Sequence, residues 1–158
     1  MWLDTLINTP WLLCKTAYAI LIERAAKFAH ANGKRLKIFY EEAGQKEDRD
    51  IEEYTKQLRS EGMPFDRNNA QSYSGLEGIE FQEILMGEPK RITKSVPMVQ
   101  FSDLMLYPMA KGGYDPTYPP YDKLMRAGRL LDCHVEQAQR PSCGIKYSCF
   151  DQKRNGPE

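Results

Sequence analysis

The chain lacks an excess of charge of either sign: Lys plus Arg number 22 and Asp plus Glu number 22 among 158 residues. Balanced charge removes the global field that would draw a basic protein onto nucleic acid. Two local clusters, Lys34-Arg35-Lys37 and Lys90-Arg91-Lys94, can still contact phosphates, although such runs are ordinarily solvated. Long apolar runs are also absent, and nothing approaches the roughly 20 residues that a membrane span requires. The stretch Trp2 to Leu13 is interrupted by Asp4, Asn8 and Pro10 and has no basic n-region, so it does not read as a signal peptide. A cytoplasmic location with no membrane association is therefore expected. Histidine is scarce, with His30 near a helix end and His134 without a visible triad partner. There is no C-x-x-C pair. Cys133, Cys143 and Cys149 cluster near the C-terminus with His134, but their spacing matches no tight zinc motif, and free thiols in a reducing compartment are expected.

What is present is a soluble globular composition, 41% hydrophobic and 28% charged, with enough chain for one domain and its own core. Thr9-Pro10 reads as an N-cap and first helical position, opening a helix that Asn32-Gly33 stops. Leu13, Ala17, Ile20, Leu21, Ala25 and Phe28 are expected on its inward face. Leu36 to Glu42 reads as a short strand, apolar on both faces around Ile38, Phe39 and Tyr40, as a strand covered on both sides would be. A helix from Gln45 follows, with Ile51, Tyr54 and Leu58 as its stripe and Gly62 as its stop. Met63-Pro64-Phe65 and Asn68-Asn69 form a loop. Ser74 to Gly87 holds a further helix candidate, and Glu88 to Val96 reads as extended up to Pro97. A helix then runs from Pro97 until Pro108 kinks or ends it. Gly112 to Pro116 and Pro119-Pro120 read as rigid loop, Tyr121 to Ala127 as a short helix, and residues 151–158 as a frayed tail. The pattern is α/β, a short sheet flanked by helices. One apolar strand cannot satisfy its own backbone or bury both faces, so the sheet looks incomplete.

The chemistry is carried by carboxylates. Asp103 interrupts the apolar run from Pro97 to Pro108, and Gln100, Asp103 and Tyr107 share one helical face at i, i+3 and i+7. A charge buried in such company has to be met by a partner or a metal; a salt bridge to Lys111 or to a distant arginine is the plain alternative. Glu41 and Glu42 end the buried strand, where ligands bind in open α/β sheets. Alternation sends them to opposite faces, and periodicity does not choose between them. Asp48 lies one turn into the next helix, beside its inward stripe. A divalent-metal site built from Glu41, Asp48 and Asp103 would suit magnesium, which takes oxygen ligands. With two ions about 4 Å apart, such a site would cleave phosphodiesters. The alternative for Glu41, Glu42 and Asp48 is helix-end electrostatics.

These residues carry a family resemblance. Phe39-Tyr40-Glu41-Glu42-Ala43-Gly44-Gln45-Lys46-Glu47-Asp48 resembles the E-x-x-G-K-x-E-D segment of the domain of unknown function (DUF) 3800 family. Val99-Gln100-Phe101-Ser102-Asp103-Leu104 is similar to its Q-x-A-D-L helix, with Ser102 in place of alanine. The resemblance runs from about Trp11 to Phe150 and implies a partial ribonuclease H-like fold. It also implies a magnesium or manganese site, with Glu41 and Asp103 as metal ligands. Asp48 is their catalytic support and Gln100 a positioning residue one turn before Asp103. The family opens with a strand ending in Asp-Glu-Ser-Gly, which nothing before Trp11 resembles. Residues 1–158 thus look like a single domain corresponding to the C-terminal two thirds of that family's domain. Two functions are expected as alternatives. One is a metal-dependent nuclease, an incomplete phosphodiesterase-type site acting on nucleic acid. The other is a non-catalytic interaction domain completed at its sheet edge by a partner strand or a second copy.

Overall fold

The computed structural model describes residues 10–64 and 75–145, with side chains from Cys14 onward. The fold is mixed α/β and mostly helical. Helix α1 spans Pro10–Ala31, strand β1 Phe39–Glu41, helix α2 Gln45–Glu61, helix α3 Gly78–Ile84, and strand β2 Lys90–Ile92. Helix α4 (Pro97–Tyr114), helix α5 (Pro119–Arg126), a 3-10 turn (Leu131–Cys133) and helix α6 (Arg140–Cys143) follow. The chain falls into two compact units, Met1–Val99 and Gln100–Glu158.

In the first unit, β1 and β2 pair in parallel, Phe39 with Lys90, Tyr40 with Arg91 and Glu41 with Ile92. Parallel neighbours need a crossover, which α2 and α3 supply. The pairing begins earlier than the strand proper, with a bridge from Leu36 to Leu85. Amides and carbonyls of Leu36, Ile38 and Glu42 bond towards β2: Met86 N donates to Leu36 O at 2.8 Å and Lys90 N to Ile38 O at 3.0 Å. Alternation then aims the backbone groups of Lys37, Phe39 and Glu41 at the other edge. Among the described residues no strand pairs with that edge.

Leu36, Ile38 and Tyr40 share the sheet face that the helices cover. Leu36 and Ile38 pack against a core of Ala19, Ile22, Ala26, Leu58, Phe81, Ile84 and Leu85. The other face is open at Phe39, which is 54% exposed. The expected double-sided cover of the strand is therefore corrected to one side among the described residues. Helix α1 buries a different stripe from the one expected. Ala19, Ile22, Glu23, Ala26 and Ala29 are buried, whereas Leu21 is 65% exposed. The helix is apolar around most of its circumference, so periodicity alone left its rotation open.

Glu23, at 2% exposure, is the buried acid of this core. Its carboxylate accepts the Leu76 amide at 3.0 Å and pairs with Lys27 one turn away at 3.1 Å. Thr55, fully buried, joins α2 to α1 through a 2.6 Å hydrogen bond with the Tyr18 hydroxyl. Burial pushes the Tyr18 hydroxyl above its ordinary pKa, which the Thr55 contact partly offsets. Helix α2 ends at Gly62, whose positive φ of 80° suits glycine and turns the chain beneath α3. The backbone there is close, with Met63 N donating to Leu76 O at 3.2 Å.

In the second unit, α4 does not stop at Pro108 but continues through Gly112 and Gly113 to Tyr114. A proline removes one i→i−4 bond without preventing the turns on either side from forming. The helical backbone also has a use for glycine: the Tyr121 ring lies against Gly112, and a Cβ there would overlap it. Pro119 and Pro120 open α5 as its first residues instead of forming loop, since a first-turn proline lacks only an amide that is unpaired anyway. Leu130, Val135 and Cys143 are buried in this unit. Cys14 and Cys133 are exposed free thiols, and Cys143 is a buried one. The His134 ring nitrogen Nε2 lies 2.8 Å from the Gly128 carbonyl. Cys149, the loop around Asn68-Asn69 and the tail 151–158 lie outside the described residues.

The observed rotation of α1 and the central place of α3 make a direct prediction. Phe81→Ala should lower unfolding stability by about 3–5 kcal/mol, as for other buried aromatics. Leu21→Ala should change it by less than about 0.5 kcal/mol, as exposed positions do. Urea denaturation of both variants measures this, and a larger loss at Leu21 would place the Leu21 stripe inward instead.

Candidate carboxylate site

At the C-terminal end of the parallel strand pair, Glu42 and Asp48 meet Arg91, and Glu41 meets Lys94. Asp48 stands in the first turns of α2, where a negative charge complements the helix dipole. It is 7% exposed, and each of its oxygens has a donor. Oδ1 accepts the Ala43 amide at 3.1 Å, reaching back over the turn that precedes the helix. Oδ2 accepts Arg91 Nη1 at 3.1 Å. Arg91 Nε also lies 3.8 Å from Glu42 Oε2. One guanidinium thus links the end of β1 and the start of α2 to β2.

These contacts set the ionisation. The Ala43 amide holds the Asp48 carboxyl below its ordinary pKa, assisted by the Arg91 guanidinium, against the opposing effect of burial. Arg91 is pushed in the complementary direction, upward, first by its hydrogen bond to Asp48. Tyr40 belongs to the same face and donates its hydroxyl to Glu52 Oε1 at 3.2 Å. Burial and then this hydrogen bond raise its pKa.

Glu41 is elsewhere. Alternation points it to the sheet face opposite Tyr40 and Glu42, and therefore away from Asp48. Its Oε1 pairs with Lys94 Nζ at 3.5 Å on that open face. The acid beside Asp48 is thus Glu42, although the family resemblance places the ligand on Glu41. Glu41 and Asp48 do not together form a metal cradle: they face opposite ways, and both Asp48 oxygens already accept hydrogen bonds. Among the described residues no group of three or more His, Cys, Asp or Glu side chains could hold a metal ion.

Asp103 and Gln100 belong to the second unit, on α4. Because the helix is continuous from Pro97 to Tyr114, Gln100, Asp103 and Tyr107 do share a face. Asp103 is exposed, which corrects the inference that burial forces a partner on it. Among the described residues no ion pair joins it to Lys111 or to an arginine. The acid that does lie buried in an apolar stripe is Glu23, between Ile22 and Ala26 on α1, and its signal in the sequence is that placement. Arg91 belongs to the run Lys90-Arg91-Lys94, which composition alone assigns to solvent, yet it bonds Asp48. Its signal was its position on a short strand opposite Tyr40, which becomes visible only once the pairing register is known.

No helix among the described residues is long and apolar enough to cross a membrane. The chain is 36% identical over 145 residues to the uncharacterized protein y4pM of Sinorhizobium fredii (strain NBRC 101917 / NGR234), a match that covers 89% of this chain. It covers 50% of that relative, so the chain spans about half the length of the curated protein it matches. No family model matches the chain, and no solved structure matches it.

Since the folded pKa of Asp48 is depressed, its contribution to stability is present above the unfolded-state pKa and lost as pH falls through the folded value. Asp48→Asn should therefore melt lower than the parent at neutral pH, and the gap should close as the solution is acidified into the carboxylate range. Melting temperature against pH for the two proteins measures it. A gap that persists unchanged in acid would show that Asp48 stabilises the fold by something other than its charge.

Proposed function

We propose that the chain is a partial DUF 3800-like, ribonuclease H-like domain, completed by a strand added at the outer edge of β1. In this reading its activity is divalent-metal-dependent phosphodiester cleavage. The observation that carries the reading is the placement of Glu41: it ends a strand of a parallel pair, on a sheet face left open by the helices. Ligands of open α/β sheets bind beyond the C-terminal ends of their strands. Parallel sheets are ordinarily covered on both faces, so the bare face at Phe39 supports the need for further structure. The two sequence segments that resemble the family supply the remaining support.

In this reading Glu41 and Asp103 are the magnesium or manganese ligands. Gln100, one turn before Asp103, positions the latter's surroundings. Bound metal would supply charge neutralisation at a phosphate and an activated water. Asp48 takes the supporting part only: through Arg91 and the Ala43 amide it fixes the turn between β1 and α2, and so the end of the strand that carries Glu41. Lys94 holds the Glu41 carboxylate in place of a metal and would have to release it on binding.

The experiment uses a homologue that includes the Asp-Glu-Ser-Gly strand. Asp103→Asn and Glu41→Gln should each abolish magnesium-dependent cleavage of nucleic acid, leaving the melting temperature close to that of the parent. Asp48→Asn should lower the melting temperature and reduce activity in proportion to unfolding. Cleavage unchanged by Asp103→Asn removes the nuclease reading.

A second reading is favoured by the exposed edge itself. The backbone of Lys37, Phe39 and Glu41, which no strand among the described residues pairs, would receive a strand from a partner or a second copy without any catalysis, by β-augmentation. In that case Glu41→Gln would leave association unchanged, whereas Phe39→Pro, which removes an edge donor, would weaken it.

A further inference from the structure

The face of α4 that carries Gln100 and Asp103 continues beyond them with two aromatic rings and a cation. Tyr107, Lys111 and Tyr114 follow at i, i+4 and i+7 within one uninterrupted helix. Tyr107 is 65% exposed and Tyr114 63% exposed, and Lys111 is exposed between them. At 1.5 Å of rise per residue the two rings stand about 10 Å apart along the helix axis. Of the four tyrosines among the described residues of the second unit, the other two are engaged in packing. Tyr121 lies on Gly112, and Tyr118 meets Tyr107 edge to face with ring centroids 6.1 Å apart. That contact holds the Tyr107 ring from one side and limits the conformational freedom it has to lose on binding a flat ligand.

We propose that Tyr107 and Tyr114 form a stacking strip for single-stranded nucleic acid, with Lys111 contacting the phosphate between the stacked bases. The proposal deepens the phosphodiesterase reading by naming its substrate class, and it rests on Asp103 lying at the reactive end of the same face. Three features point to this ligand. A duplex keeps its bases inside the stack and offers no free ring face, whereas a single strand does. Exposed rings that alternate with a cation complement the alternation of base and phosphate along a strand. The tyrosine hydroxyls keep the rings wettable in the unbound state. The cation is modest: Asp115, one turn beyond Lys111, feels its charge, and its own carboxyl is held low first by the Thr117 hydroxyl. Binding should therefore depend on stacking more than on charge, in keeping with the balanced composition.

The test measures binding apart from cleavage. The full chain carrying Asp103→Asn is titrated, without divalent metal, into fluorescein-labelled oligothymidylate, oligouridylate and a DNA duplex, and anisotropy is read. The strip predicts saturable binding to at least one single strand and at least tenfold weaker binding to the duplex. Tyr107→Ser and Tyr114→Ser should each weaken single-strand binding by roughly fivefold to a hundredfold, the range for loss of one base–aromatic stack. Tyr107→Phe and Tyr114→Phe should restore it, and circular dichroism melts should show all four variants folded. Equal binding to duplex and single strand, or serine variants that bind like the parent, overturn the strip while leaving the Asp103 assignment standing. Binding by the strip with no cleavage in an intact homologue would instead overturn the phosphodiesterase reading alone.

Discussion

The Arg91 guanidinium is the contact on which the arrangement of the candidate site depends. It reaches Asp48 at the start of α2 and Glu42 at the end of β1, and it is itself carried on β2. Strand β2 is thereby tied to the turn between β1 and α2, with Arg91 lying 43 residues after Asp48 in the chain. The Asp48 carboxylate adds the Ala43 amide, so the turn from strand to helix is fixed from both sides. The direction in which Glu41 leaves the strand follows from this: once Tyr40 and Glu42 face the helices, Glu41 has to face away.

In the rest of the first unit the described residues cover the sheet on one face only. Helices α1, α2 and α3 cover one face of a two-stranded parallel pair, and their core closes around Phe81 and Leu85. The opposite face presents Phe39 and an edge of unpaired backbone among the described residues. A parallel sheet is stable when both faces and its edges are served. The chain spans about half the length of the relative it matches.

Much of the element order was legible from local chemistry. Pro10 and Gly33 bounded α1, Gly62 bounded α2, and the extended stretch before Pro97 contained β2, because capping and turn preferences act within a few residues. Three matters were not legible. The rotation of α1 depends on what packs against it, and a helix with Leu21 on one side and Ile22 on the other offers two stripes. Pro108 and the Gly112-Gly113 pair look like a helix end in isolation, but packing of Tyr121 against Gly112 overrides that preference. The partner of Asp48 required the register of β1 against β2, which no short-range pattern contains. The face shared by Gln100, Asp103 and Tyr107 was readable because helical spacing alone fixes it. The choice between Glu41 and Glu42 was not, because both ends of an alternation look alike until one face is known to be covered.

The account turns on Asp48 being committed to Arg91 as a structural link, which leaves only Glu41 and Asp103 as the proposed metal ligands. The most direct measurement is a double-mutant cycle of Asp48→Asn and Arg91→Gln, with unfolding free energies from urea denaturation at neutral pH. The account predicts that the double variant is distinctly more stable than the sum of the two single losses would allow, and that the excess vanishes in acid. Strictly additive losses would contradict it, because they would mean that the two side chains stabilise the fold independently and that Asp48 is available for another role.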